Sequence, residues 1–225
     1  MFDTKLRPIL APALDRAAAL LDVSWISPNK LTGANLVLGM ASAGLAAAQL
    51  WVPSLIAWLL CRLADGLDGP LARRRAHPAQ STQTHAQAQA QAHARAHVPD
   101  NGQGGFWDIC ADFVVYGATV IGVAVGATAG FGAPWLPFLL VLFAYYINGS
   151  VFLAFSSIAE KTGRTIEDGR SLSFLGGLAE GTETVVVHSL WLLLPFVSWQ
   201  IALIWALLVS ISATERIISG YRRLR

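Results

Sequence analysis

Asp65-Gly66-Leu67-Asp68-Gly69-Pro70-Leu71-Ala72-Arg73 ends one apolar run, and Gly104-x3-Asp108-x3-Asp112 begins another. Four carboxylates thus stand at the ends of apolar segments, in a chain with mean hydropathy +0.51 and 13% charged residues. A carboxylate at membrane depth is expensive, so acids in such places point to function. Successive residues turn by about 100° in a helix, so Asp65 and Asp68 share one face and Asp108 and Asp112 share another. Two such faces turned together form an all-oxygen cluster of charge −4, which needs cations to exist. Hard oxygen ligands suit Mg2+, Mn2+ or Ca2+ rather than zinc.

The surrounding sequence sets these acids in a membrane. At 225 residues and 54% hydrophobic, residues 1–225 read as one all-α, polytopic membrane domain. Apolar runs of about 20 residues mark spanning helices. Six are expected, near 32–50, 53–73, 106–128, 134–159, 174–195 and 199–219. Pro53, the Gly130–Pro134 stretch and the Pro195–Trp199 stretch supply breaks, with Trp51, Trp135, Trp191 and Trp199 beside them as interfacial aromatics. Residues 1–22 mix Asp3, Lys5, Arg7, Asp15 and Arg16 with apolar residues, the pattern of an amphipathic surface helix rather than a cleaved signal. Cys61 and Cys110 lie in apolar segments and suggest no disulfide.

In a six-span arrangement the basic residues fall on one side of the membrane, and the three opposite turns carry no Lys or Arg. The positive-inside rule then puts both termini and the acids on the cytoplasmic side of an inner, or plasma, membrane. Residues 77–105 form a polar, low-complexity loop rich in Ala, Gln and His. His93 and His97 have the spacing of a helical metal pair, but such spacing arises by chance in this repeat.

Carboxylate-held divalent ions open to the cytoplasm suit phosphoryl chemistry, because they neutralise a departing phosphate while a carboxylate can deprotonate an alcohol. Gly66 and Gly69 would let a ligand approach the backbone. Arg73, eight residues after Asp65, is placed to reach a phosphate held there. Pro70 frees the carbonyl of Gly66 from a helical bond.

Together these residues resemble the signature of the CDP-alcohol phosphotransferases, D-x2-D-G-x2-A-R-x8-G-x3-D-x3-D. All eight signature residues are present, although 30 residues separate Arg73 from Gly104 where the family has eight. A flexible loop lengthens at little thermodynamic cost. The resemblance implies displacement of CMP from a CDP-linked lipid, usually CDP-diacylglycerol, by an alcohol. It implies that Asp65, Asp68, Asp108 and Asp112 hold two divalent cations, Mg2+ or Mn2+, and that Asp112 is also the catalytic base. Gly69, Ala72 and Arg73 would line the CDP-lipid site. Asn29 and Thr32 look like the family's Pro-Asn-x-x-Thr entry to the first span, which borders the nucleotide. From the residues alone, that segment is only a turn and helix start with Thr32 as a candidate cap.

The later spans concern the acceptor. Lys161, Arg164 and Arg170, with Arg216 approaching from the last span, would serve either a phosphorylated acceptor or simple membrane anchoring. Glu180 and Glu183 are expected one to two turns inside the fifth span, where they need a cation such as Arg216 or the hydroxyls of a polyol. Phe174 to Thr184 resembles a bacterial inner-membrane branch of the same family. Asn148 and His188 read as hydrogen-bonding groups between helices, and the small residues Gly117, Ala118, Gly122, Ala124, Gly126 and Ala127 as close-packing positions. Members of the family commonly form homodimers, so a homodimer is expected, with no nucleic-acid partner. Two other classes compete. A cation transporter would continue its ionisable groups toward the far side, where none occurs. A non-catalytic metal or lipid sensor would depend on the His-rich loop.

Overall fold

The computed structural model describes residues 3–76, 102–164 and 176–225. Every regular element among them is helical. In chain order these are α1 (Asp3–Leu20), α2 (Pro28–Ala47), α3 (Trp51–Ala76), α4 (Gln103–Phe131), α5 (Leu136–Thr162), α6 (Gly181–Leu193) and α7 (Ser198–Leu224), with a short 3-10 turn at Pro195–Val197 before α7. His93, His97 and Arg170 lie outside the described residues, as does most of the low-complexity loop.

Among the described residues, three helical stretches are long and apolar enough to cross a membrane: Gln103–Phe131, Leu136–Thr162 and Pro195–Leu224. The fifth expected span is shorter than its hydropathy suggested. Its helix begins only at Gly181 and covers 13 residues, about 20 Å. Glu180 is its N-cap, with extended backbone at φ −119° and ψ −174°. The acids expected inside this span therefore stand at its start, Glu180 before the helix and Glu183 in its first turn, where the helix dipole favours negative charge.

Local chemistry accounts for the ends of the helices. Ser27 caps α2 by accepting from the Lys30 amide at 3.3 Å, and Pro28 follows it, where a missing N–H costs nothing. Thr32, the residue expected to cap, is one turn inside the helix. After α4, Gly132 adopts φ +66° and stops the helix with a left-handed residue.

The helices associate as two groups. In the first, α2 packs between α3 and α4; in the second, α5 packs along α7, and α6 touches both groups. Close approach of α2 and α4 depends on the small-residue stripe. A Cβ on Gly122 would stand 2.2 Å from the Ala43 carbonyl oxygen, and one on Gly126 would stand 2.0 Å from that of Ala46. The stripe is thus used within the chain. Ser42 and Ser54 join α2 to α3, each hydroxyl donating to the other's carbonyl at 2.9 and 2.8 Å. His188 packs between Trp58 and Trp191, with ring centroids at 4.9 and 4.6 Å, and bonds the Tyr145 hydroxyl at 2.9 Å. It joins helices, as its sequence setting suggested. α1 lies over the end of α3 through Leu14, Ala18, Leu67 and Leu71. Arg75 secures the following linker by bonding Asp22 at 3.0 Å and the Val23 carbonyl at 2.8 Å. Both cysteines are free thiols.

Candidate functional site

The two signature segments meet where α3 and α4 flank α2. Asp65 and Asp68 come from α3, and Asp108 and Asp112 from α4. One carboxylate oxygen from each of Asp65, Asp68 and Asp108 lies within 4.8 Å of the other two. Ligands on opposite sides of a hard divalent ion lie roughly 4–5 Å apart, so this spacing fits a shared ion. Asp108 Oδ1 is buried and has no hydrogen-bond partner among the described residues. A buried oxygen without a donor is costly, and a cation is the natural complement in an all-oxygen set.

The first span braces these acids. Thr32 donates its hydroxyl to Asp68 Oδ2 at 2.9 Å, in addition to a contact with the Pro28 carbonyl at 3.2 Å. Asn35, one turn further along, donates Nδ2 to Asp65 Oδ1 at 3.3 Å. Asn35 was not singled out from the sequence. The signal was the spacing Asn29-x2-Thr32-x2-Asn35, which puts three polar side chains on one face of an apolar helix.

Asp112 stands outside the group of three. Its Oδ1 accepts from Arg62 Nη1 at 3.1 Å, and the same nitrogen lies 3.6 Å from Asp65 Oδ2. Arg62 also donates Nη1 to the Tyr116 hydroxyl at 3.0 Å and Nη2 to Asn35 Oδ1 at 2.6 Å. The Trp58 and Tyr116 rings cover the guanidinium, each centroid 5.0 Å from Cζ. The sequence showed only that Arg62 lies inside a helix near the acids. Its spacing of three before Asp65 was the clue to its role.

Two of the expected nucleotide-binding residues, Arg73 and Asn29, lie against signature glycines. Arg73 Nη1 lies 3.4 Å from where a Cβ on Gly69 would sit, so the guanidinium lies over that glycine. Asn29 reaches the start of α4, its Oδ1 3.6 Å from a Cβ placed on Gly104. Ala72 and Arg73 are exposed. Gly66 differs from expectation: a Cβ on it would stand 3.6 Å from the Leu14 side chain of α1, so it serves helix packing.

On the other side of Asp112, a cavity of about 540 Å3 opens between α4, α5 and the segment leading into α6. Asp112, Tyr116, Asn148, Glu180 and Arg216 border it. Arg216 donates Nη1 to Asn148 Oδ1 at 2.6 Å and Nη2 to the Ala179 carbonyl at 3.1 Å. Glu180 Oε1 accepts from the Gly177 amide at 3.1 Å. Of the expected acceptor residues, the structure brings Glu180 and Arg216 to this cavity. Glu183 does not border it. Lys161 and Arg164 are exposed at the end of α5, where Arg164 bonds the Leu224 carbonyl.

No known family profile matches the chain. A protein from Escherichia coli (strain K12), "Inner membrane protein YnjF", is 33% identical over 231 aligned residues, which cover 100% of this chain and 98% of that protein.

Proposed function

The chain belongs to the family of the Escherichia coli inner membrane protein YnjF and is a membrane protein, and from that premise we propose that it is a metal-dependent CDP-alcohol phosphotransferase. It transfers a phosphatidyl group from CDP-diacylglycerol to a polar alcohol and releases CMP, as a step of phospholipid synthesis. The observation that carries this reading is the juxtaposition at Asp112. On one side stand three carboxylates close enough to share an ion; on the other is a cavity large enough for a small alcohol.

Asp65, Asp68 and Asp108 would hold Mg2+ or Mn2+, which when bound would neutralise the diphosphate and stabilise CMP as it leaves. Thr32 and Asn35 keep Asp68 and Asp65 in place through their hydrogen bonds. Arg73, beside Gly69, binds phosphate oxygens through its planar fork. Asp112 takes the proton of the acceptor hydroxyl, and the resulting alkoxide attacks the β-phosphorus of the CDP-lipid. Glu180, Asn148 and Arg216 orient the acceptor within the cavity. The acceptor is a polar alcohol, phosphorylated or not.

Six spans, with both termini and the acids on the cytoplasmic side, are part of the proposal. The signal is the absence of Lys and Arg from the three opposite turns. A homodimer, common in the resembling family, belongs to it as well.

The test is release of CMP from CDP-diacylglycerol by the purified full-length protein with Mg2+ or Mn2+. Acceptors to be screened are glycerol 3-phosphate, inositol phosphate, serine, inositol and choline. CMP release that needs both metal and one of these alcohols is expected. No CMP with any acceptor, or full activity in Asp112→Asn, would overturn the reading.

A further inference from the structure

We propose that Arg62 is a built-in cation on the Asp65–Asp112 side of the acidic cluster and restricts the cluster to one divalent ion. The inference rests on the metal-dependent reading above. It revises the expectation of two ions that the family resemblance carries.

The first argument is position. Nη1 of Arg62 stands 3.1 Å from Asp112 Oδ1 and 3.6 Å from Asp65 Oδ2, so it takes the place between these two carboxylates. Asp65, Asp68 and Asp108 converge with one another and leave Asp112 out. A divalent ion binds carboxylate oxygens at about 2.0–2.6 Å. An ion shared by Asp65 and Asp112 would therefore compete with the guanidinium for the same oxygens and stand against a like charge.

The second argument is that Arg62 is fixed. Its side chain is only 7% exposed. Nη2 is held by Asn35 Oδ1 at 2.6 Å, Nη1 by the Tyr116 hydroxyl at 3.0 Å, and Trp58 and Tyr116 close on the plane from two directions. Asn35 in turn bonds Asp65, so any swing of the guanidinium would disturb a second carboxylate. An arginine remains charged at any working pH, whereas a metal ion is released when its carboxylate ligands are protonated. This arrangement makes Arg62 a positioning residue: it offsets one negative charge permanently and keeps Asp112 out of the metal-binding set.

The experiment counts ions on the full-length protein in detergent micelles. Bound Mn2+ is measured by equilibrium dialysis and electron paramagnetic resonance. The site's share is the difference between each protein and the same protein carrying Asp65→Asn, which removes the carboxylate common to both ion positions. One Mn2+ per chain is expected for wild type. Arg62→Met should raise the count to two and broaden the spectrum through coupling between neighbouring ions, while Arg62→Lys should stay at one. Two ions in wild type would overturn this inference and leave the enzyme reading intact. So would a count of one in an Arg62→Met protein that keeps its helical circular dichroism and elutes as a single species. If that variant does not fold, the wild-type count decides alone. No Asp65-dependent Mn2+ in wild type would overturn the metal reading itself.

Discussion

Replacing Gly122 by alanine tests whether the α2–α4 contact sets the geometry of the site. The new Cβ would stand 2.2 Å from the Ala43 carbonyl oxygen, whereas ordinary contact begins near 3.4 Å, a deficit of about 1.2 Å. The obstacle is backbone, so no side-chain rotation relieves it and the two helices must separate. Overpacking of this kind costs about 1–3 kcal/mol. Alanine is a better helix former than glycine by roughly 1 kcal/mol, which offsets part of that cost. Position matters more than stability here. α2 carries Thr32 and Asn35, which brace the carboxylates of α3, and α4 carries Asp108 and Asp112. A displacement near 1 Å in a positioned catalytic group can cost on the order of 100-fold in rate. Gly122→Ala should therefore lower CMP release about 100-fold and lower the midpoint of thermal unfolding, followed by tryptophan fluorescence in detergent. Gly44→Ala is the control, because it lies exposed on α2 with nothing within 4 Å of the added Cβ. It should keep the activity and melt no lower than wild type. A Gly122→Ala protein with unchanged melting and turnover would refute the argument that this contact positions the site.

Three further outcomes are expected. Thr32→Val removes the hydroxyl that bonds Asp68 at 2.9 Å; a hydrogen bond to a charged group contributes about 1.5–3 kcal/mol, so Mn2+ binding measured by dialysis should weaken about 10- to 100-fold. Deleting residues 78–99 should leave CMP release within about twofold of wild type, because a long flexible loop closes at little extra entropic cost; loss of activity would favour a working role for the His-rich loop. Glu180→Gln keeps the shape of a cavity-lining side chain but removes its charge, so the KM for the alcohol should change while that for the CDP-lipid stays constant.

Much of the fold was legible because long apolar runs and their breaks are local signals. The ends of α2, α4 and α5 fall within a few residues of the expected positions. The fifth span was misjudged for a physical reason. Hydropathy counts residue types, and the apolar residues from 174 onward satisfied it. Gly176 and Gly177 weaken the helix, and the backbone here packs tightly on α7: a Cβ on Gly177 would come within 2.3 Å of Ser212 Oγ. Packing between helices distant in sequence therefore set the start of α6, and with it the place of Glu180. In the candidate site, the acids were readable from spacing alone. Asn35 and Arg62 were not, because an asparagine or arginine in an apolar helix has many uses. Only the meeting of α2, α3 and α4 shows which carboxylates they touch.

The register of α4 explains how one site can face two ligands. Asp108 and Asp112 lie one turn apart, about 6 Å along the same face. Asp108 turns to the oxygen cluster of α3, while Asp112 borders the cavity between the two helix groups. A helix straighter in its duties would direct both acids to the metal or both to the acceptor. Arg62 makes the division by holding Asp112 Oδ1 at 3.1 Å, away from the group of three. The two helix groups meet at that point, α2 and α3 bracing the cluster, and α5 and α7 walling the cavity through Asn148 and Arg216. Under the proposed function, metal and alcohol would then be recognised by separate residues a single helical turn apart. That separation would let acceptor preference change among relatives through α5, the start of α6 and α7 while the carboxylate cluster stays the same.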